Sequence, residues 1–259
     1  MRKESNFVVS IGNNHRYPMD FANSRGNRCV SSTVRKMASL EAVKAAWRTA
    51  EAVTFDVDST VIQEEGIDEL AKFCGKGDQV ADLTKQAMQG NMTFQQSLAV
   101  RLNIIKPSLE QVREFIRNHP PKLTPGIKEL VEDLHARNKK VFLVSGGFRC
   151  LIGPVASRLD IPADNVCANR LKFFFDGEFA GFDETEPTSR SGGKSETLRI
   201  LKEQHGLRSI VHVGDGATDL EARPPADAFI GYGGNVVRES VKTGSLWFVT
   251  DFAELRNAL

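Results

Sequence analysis

The chain has 259 residues, 41% of them hydrophobic and 26% charged, an ordinary composition for a soluble globular protein large enough for one domain with an insertion. Its 34 Lys and Arg against 33 Asp and Glu leave a formal net charge of +1, without the basic excess of a nucleic-acid or membrane-surface binder, so neither partner is expected. No apolar run approaches the ~18 residues of a membrane-spanning helix, and Cys29, Cys74, Cys150 and Cys167 form no CxxC, which points to a reduced compartment and away from cysteine-ligated zinc.

Residues 1–37 carry seven Lys or Arg against Glu4 and Asp20 and show no sustained period. They read as a disordered extension ahead of the folded part; the alternative is an organelle-targeting peptide, which would replace the cytoplasmic location otherwise expected. Leu40, Val43, Ala46 and Trp47 then recur at helical spacing, and Ala52–Val57 reads as a strand. From Gly66 to His119 the pattern is helical throughout. Four apolar stripes follow one another: Ile67 to Cys74, Val80 to Met88, Phe94 to Ile105 and Leu109 to Ile116. Gly75, Gly90 and Pro107 end the first three, and Ser108 with Gln111 makes a capping box at the start of the fourth. This predicts a small helical bundle over residues 66–122.

Alternation of strand and helix then resumes. Thr124 reads as an N-cap, with Pro125 in the first turn and Ile127, Leu130, Val131 and Leu134 on one face. Lys140–Val144 is an apolar strand that stops at Ser145-Gly146-Gly147, and Leu151 to Leu159 gives the next helix. Leu171–Phe175 and Glu178–Phe182 flank Asp176-Gly177, a hairpin signal, with Phe173-Phe174-Phe175 expected as hairpin core or an association surface. A helix from Lys194 to His205 is closed by Gly206. Ser209–Val213, Ala228–Tyr232 and Trp247–Thr250 are further strands, with a helix near Val236–Lys242.

Short apolar strands separated by helices predict an α/β fold, Rossmann-like and doubly wound. Its mainly parallel core would take in residues 38–65 and 123–259, with the bundle inserted as a cap and the β-hairpin added. In such sheets ligands bind outside the carboxyl ends of the strands. Here those ends read Asp56-Val57-Asp58, Ser145-Gly146-Gly147 and Gly214-Asp215-Gly216.

Carboxylates gathered at one edge cannot all ionise unless a cation neutralises them. Two candidates are a hard cation such as Mg²⁺, which suits oxygen ligands, and Lys194 at the start of its helix. Together with exposed backbone N–H groups they make a phosphoryl-binding arrangement. His212 lies inside a strand and reads as a packed or solvated histidine. Neither a GxxxxGK[ST] loop nor a GxSxG elbow is present, so a carboxylate is the expected nucleophile. Asp56 is fixed at the strand end, and Asp58 beside it is suited to proton transfer, a contribution of ~10²–10⁴-fold. Arg101 falls on the apolar face of its helix with Leu98, Leu102 and Ile105, where a cation is unexpected and where its fork suits a carboxylate.

FDVDSTV, SGG, GGK and GDGATD, in that order, resemble the four motifs of the haloacid dehalogenase-like phosphatases. DVDSTVIQEEGIDELAKFCG, LTPGIKEL, VSGGF, ANRLKFFFDGEFAGFDE and GDGATDLEARPPADAFIGYGGN extend the resemblance to the phosphoserine phosphatases within them, over residues 38–256. The resemblance implies Mg²⁺-dependent hydrolysis of O-phospho-L-serine, a small-molecule substrate, as the last step of serine synthesis. It implies Asp56 as nucleophile and Asp58 as proton donor and acceptor. One Mg²⁺ per active site would be held by Asp56, the Asp58 carbonyl and Asp215, with Asp219 supporting it through its water shell. Ser145, with Gly146 and Gly147, and Lys194 would hold the phosphoryl oxygens, with Thr218 nearby. Glu65 would take the substrate ammonium and Arg101 its carboxylate, while Met88 and Gly90 close over it. Gln89 departs from the glycine the family favours there. A homodimer is also implied. The cap is expected to swing on linkers near residues 64–67 and 119–124.

Overall fold

The computed structural model describes residues 32–86 and 92–259. Residues 1–31 and the Met88-Gln89-Gly90 stretch lie outside the described residues. Helix α1 runs Ser32–Thr49, so it begins inside the stretch read as an unpatterned extension. Its polar, basic first turns lack the apolar period by which the helix is recognised from Leu40 onward.

In chain order, the strands are β1 (Ala52–Phe55), β2 (Lys140–Phe148), β3 (Val166–Asn169), β4 (Leu171–Phe173), β5 (Phe179–Phe182), β6 (Ile210–Gly214), β7 (Ala228–Tyr232) and β8 (Trp247–Val249). Six of them form one parallel sheet in the order β3-β2-β1-β6-β7-β8, and β4 with β5 makes the antiparallel hairpin. The chain winds outward from β1 to β3 and then returns to the other side of β1. The switch point therefore lies between β1 and β6, which is where a doubly wound sheet leaves its crevice.

Both faces of this sheet are covered, which is why its strands read as mainly apolar runs. The period of two divides them. Val53, Phe55, Val141, Leu143, Val211 and Val213 face a layer that includes Val43 and Trp47 of α1. Leu130 of α6 (Ile127–Ala136), Val155 of α7 (Arg149–Arg158) and Phe252 of α11 (Phe252–Asn257) belong to the same layer. Ala52, Phe142 and Val144 face Leu198 and Leu201 of α8 (Gly193–His205) instead. Burying each large side chain contributes about 1.5–3 kcal/mol. Trp47 also donates its indole N–H to the Leu255 carbonyl at 3.0 Å, so its polar edge is not stranded.

The cap is built from α2 (Gly66–Phe73), α3 (Gly77–Gln86), α4 (Phe94–Ile105) and α5 (Leu109–Asn118). Ile67, Leu70, Val80, Leu98, Leu102, Val112 and Phe115 form a second core that the cap shares with Phe148 of β2 and Phe182 of β5. The Ser108–Gln111 capping box is formed, and Thr93–Gln96 makes a second one at the start of α4. Two linkers join the cap to the sheet, and they pair with each other. Ile62 and Leu123 form an antiparallel bridge, Thr124 N–H donates to Val61 and Gln63 N–H donates to Lys122, both at 2.9 Å.

Four local expectations are corrected. β2 does not stop at Val144 but continues through Ser145-Gly146-Gly147 to Phe148, with an irregular register against β3 and with Asn169 donating to the Gly146 carbonyl. Thr124 is not the side-chain cap of α6. Gly126 holds that position at φ 80°, while the Thr124 hydroxyl donates to the Thr60 carbonyl at 2.7 Å. β4 ends at Phe173, which packs on the cap, and leaves Phe174 and Phe175 exposed at the turn. The last connecting helix is shifted C-terminally, to α10 (Glu239–Gly244). Among the described residues no helix is long and apolar enough to cross a membrane.

Candidate active site

Asp56 follows β1 directly, and its N–H donates to the Val213 carbonyl of β6 at 2.9 Å. The next five residues make a tight turn, closed by Ile62 N–H on the Val57 carbonyl at 2.9 Å. Ser59 takes the left-handed conformation, φ 55°, at its centre. Asn235 secures this turn from the loop after β7. Its amide nitrogen lies 3.0 Å from the Ser59 carbonyl, 3.3 Å from that of Ile62 and 2.7 Å from the Thr124 hydroxyl.

The turn delivers Asp58 to the first residue of α2. Gly66 N–H donates to Asp58 Oδ1 at 2.7 Å, and Ser145 lies 3.4 Å from Oδ2. A helix N-terminus favours a carboxylate there. Ser145 is fully buried behind Gly146 and Gly147, which line the cavity, and its Oγ accepts from Gly147 N–H at 2.9 Å. Gly147 has to be small, since a Cβ would stand 2.8 Å from Asp58 Oδ2.

Lys194 is the second residue of α8, an unfavourable place for a cation by the helix dipole alone. Two carboxylates reverse that. Its Nζ donates to Asp56 Oδ1 at 2.7 Å and to Asp219 Oδ1 at 2.6 Å. Asp215 follows directly on β6, and Asp219 lies in the short α9 (Ala217–Leu220) after it. Asp215 accepts from Thr60 at 3.1 Å and from Arg238 at 2.8 Å. Asp56, Asp215 and Asp219 are all buried, and each can offer an oxygen within 4.8 Å of the others.

The electrostatics follow from this crowding. Burial, and then the Asp219 charge, push the Asp56 carboxyl well above the ordinary range. Burial likewise raises Asp58. For Lys194, burial pulls downward, but Asp219 and Asp56 outweigh it and hold the ammonium above its usual value. Burial opposes ionisation of Asp219 too, yet Lys194 and His212 overcome it and hold that carboxyl low. Lys194 therefore does not neutralise the whole cluster. Three buried carboxylates whose oxygens converge are the donor set that a hard divalent cation takes.

A cavity of about 620 Å³ separates the strand ends from the cap, ample for a small phosphorylated metabolite. Asp56, Asp58, Lys194, Asp215, Thr218 and Asp219 line its floor. Glu65 and Arg101 line it from the cap side. Glu65 accepts from Ser59 at 2.7 Å and from Arg238 at 3.2 Å. Burial and the neighbouring Asp58 charge push it up to about 7. Burial lowers the Arg101 guanidinium, although Asp68, Glu65 and Asp58 lie close enough to favour its charge.

Every expected site residue among the described residues is thus in or directly behind one cavity. Sequence reasoning missed Arg238, which bridges Glu65 and Asp215, and Asn235, which ties the Asp58 turn. A signal existed: Gly233-Gly234-Asn235 follows β7 as a fourth polar, Gly-rich strand end. His212 is packed inside its strand, one of the two readings given for it, but its contact with Asp219 was not read, although Thr54 is its register partner on β1. Two polar residues at matching positions of two apolar strands are a detectable pattern.

The sequence profile of the haloacid dehalogenase-like hydrolases matches residues 50–227. A phosphoserine phosphatase of Bos taurus is 59% identical over 223 residues, covering 86% of this chain and 99% of its own. A chloroplastic phosphoserine phosphatase of Arabidopsis thaliana is 53% identical over 215 residues, covering 82% of this chain and 73% of its own. Among solved structures, a phospho-aspartyl intermediate analogue of phosphoserine phosphatase superposes with a TM-score of 0.70 at 29% identity, covering 81% of this chain and 99% of that one.

Proposed function

The chain belongs to the haloacid dehalogenase-like hydrolase family, and from that premise we propose that it hydrolyses O-phospho-L-serine to L-serine and phosphate. The observation that carries this reading is one cavity with two kinds of wall. Its floor joins Asp56, Asp58, Lys194, Asp215 and Asp219, and its roof presents one carboxyl group, Glu65, and one cation, Arg101. The first set suits a phosphoryl group, and the second suits the ammonium and carboxylate of an amino acid.

Asp56 is the nucleophile. Its carboxylate attacks phosphorus, the bond to the serine oxygen breaks, and an aspartyl-phosphate forms on Asp56. Asp58 gives its proton to the departing serine oxygen. It then takes a proton from the water that attacks the aspartyl-phosphate, returning both residues to their starting states. Burial suits Asp58 to this, because it raises the carboxyl toward a range where the proton is held until needed. Lys194, Ser145 and the backbone of Gly146 and Gly147 hold the phosphoryl oxygens, with Thr218 at the edge of the site. A Mg²⁺ held by Asp56, the Asp58 carbonyl and Asp215, with Asp219 in support, would supply further neutralisation of those oxygens. Glu65 binds the ammonium and Arg101 the carboxylate. The cap swings between open and closed on its paired linkers.

Purified protein with Mg²⁺ is expected to release phosphate from O-phospho-L-serine and to stop when a chelator is in excess. Activity on generic phosphoesters with none on phosphoserine would refute the substrate assignment. Arg101→Ala is expected to raise KM for phosphoserine by about 10- to 100-fold, the loss of a hydrogen-bonded charge pair. An uncharged aryl phosphate, which lacks the carboxylate, should show no such change; equal losses on both substrates would remove Arg101 from the head-group site.

The reading includes a homodimer, which light scattering measures directly. Its home is the cytoplasm or, if residues 1–37 act as a targeting peptide, an organelle. A fluorescent fusion of the full chain separates the two.

A further inference from the structure

Beneath the site lies a titratable group that the chemistry above does not use. His212 stands in the middle of β6 with 0% exposure. Its Nε2 is 2.8 Å from Asp219 Oδ1, and its Nδ1 is 2.8 Å from the Thr54 hydroxyl on the neighbouring strand. An ionised carboxylate only accepts hydrogen bonds, so Nε2 carries the proton that points at Asp219. The ring leans on Phe229, with centroids 6.2 Å apart. Bonded at both nitrogens and enclosed, it has no freedom to turn.

The effect falls on Asp219. A carboxylate has about four lone-pair positions. Lys194 and His212 take two on Oδ1, at 2.6 Å and 2.8 Å, and Gly216 N–H takes one on Oδ2 at 2.9 Å. What remains is what Asp219 can offer to a cation or to a water in its shell. The seat is tight, since a Cβ at Gly214 would collide with the Asp219 carboxyl. Lys194 alone could not fix the carboxylate plane. Its stem is flexible, and it divides its donors between Asp219 and Asp56. His212, held by two strands of the sheet, can.

We propose that His212, clamped by Thr54, is a positioning residue that orients Asp219 toward a divalent cation. This rests on reading Asp56, Asp215 and Asp219 as a Mg²⁺ site. Groups that orient metal-site carboxylates and histidines typically change metal affinity by about 10- to 100-fold when removed.

The test is a calorimetric titration of Mg²⁺ into the metal-free, substrate-free protein. His212→Leu is expected to weaken Mg²⁺ binding by about 10-fold or more. His212→Gln, which keeps an N–H donor, should recover most of that loss, and Thr54→Val should weaken binding in the same direction but less. At saturating Mg²⁺, KM for phosphoserine should stay within about twofold in all three, because the head-group residues are untouched. Unchanged Mg²⁺ affinity in His212→Leu overturns the inference. So does a lower melting temperature of the metal-free protein with an unchanged isotherm and no advantage for His212→Gln, which is the pattern of a merely structural histidine. If His212→Leu does not fold, Thr54→Val decides: parent-like affinity overturns the proposal. A parent protein that takes up no Mg²⁺ overturns the cation site itself, a result distinct from a variant that binds as the parent does.

Discussion

Asp56→Asn is expected to abolish turnover of phosphoserine, lowering kcat by roughly 10⁴- to 10⁶-fold, the scale seen when a covalent nucleophile is removed. The loss should be chemical and not structural. Asparagine keeps the shape of the side chain and the β1–β6 bond through the Asp56 N–H. Burial and the Asp219 charge already push the Asp56 carboxyl well above its ordinary range, so a neutral group there suits the fold. The variant should melt close to the parent in the absence of metal. Acid quenching of the parent during turnover should leave a phosphoryl group on the peptide that contains Asp56, and the variant should leave none. Turnover within tenfold of the parent, or a phosphorylated peptide elsewhere, would refute the nucleophile assignment.

Lys194→Met should harm both stability and activity. Lys194 is 8% exposed and donates to two buried carboxylates, Asp56 and Asp219. Methionine fills a similar volume but leaves Asp219 without the cation that holds it ionised and Asp56 without a hydrogen-bond donor. Breaking a buried pair from one side costs about 3–5 kcal/mol, readable as a lower denaturation midpoint with an unchanged slope. Mg²⁺ should restore part of it by mass action, about 2.7 kcal/mol at a hundredfold excess over its dissociation constant. Turnover should not return, because the phosphoryl group still lacks its lysine. A variant as stable as the parent without metal would show that Lys194 does not neutralise this cluster.

Much of this site was legible because its parts sit where chain direction changes. Asp56, Ser145 and Asp215 each stand at the polar end or tail of an apolar strand, and the rule for doubly wound sheets brings such ends together. Arg101 was legible as a cation on an apolar helix face, and the cap as four consecutive stripes with clear breaks. What escaped was long-range or conformational. The left-handed Ser59 has no glycine to announce it. β3, Val166–Asn169, offers only small apolar side chains and ends in a polar Asn169, so no apolar run announces it. β2 runs on past Val144 because Asn169 donates to the Gly146 carbonyl from 23 residues away. Arg238 reaches Glu65 across 173 residues, a distance no local period can register.

The paired linkers have a mechanical consequence. Ile62 and Leu123 make the two connections a single hydrogen-bonded ribbon, pinned at its base by Asn235 and Thr124. A ribbon flexes readily across its face and resists shear within its plane. A cap that swings as proposed would therefore travel about one easy axis, parting from Phe148 and Phe182 as it opens. Glu65 stands where the ribbon enters α2, near the pivot, and Arg101 rides farther out on α4. On the proposed reading, a single angular coordinate would set both separations from Asp56 at once, so a substrate would be measured by whether its two head-group charges are met at the same angle.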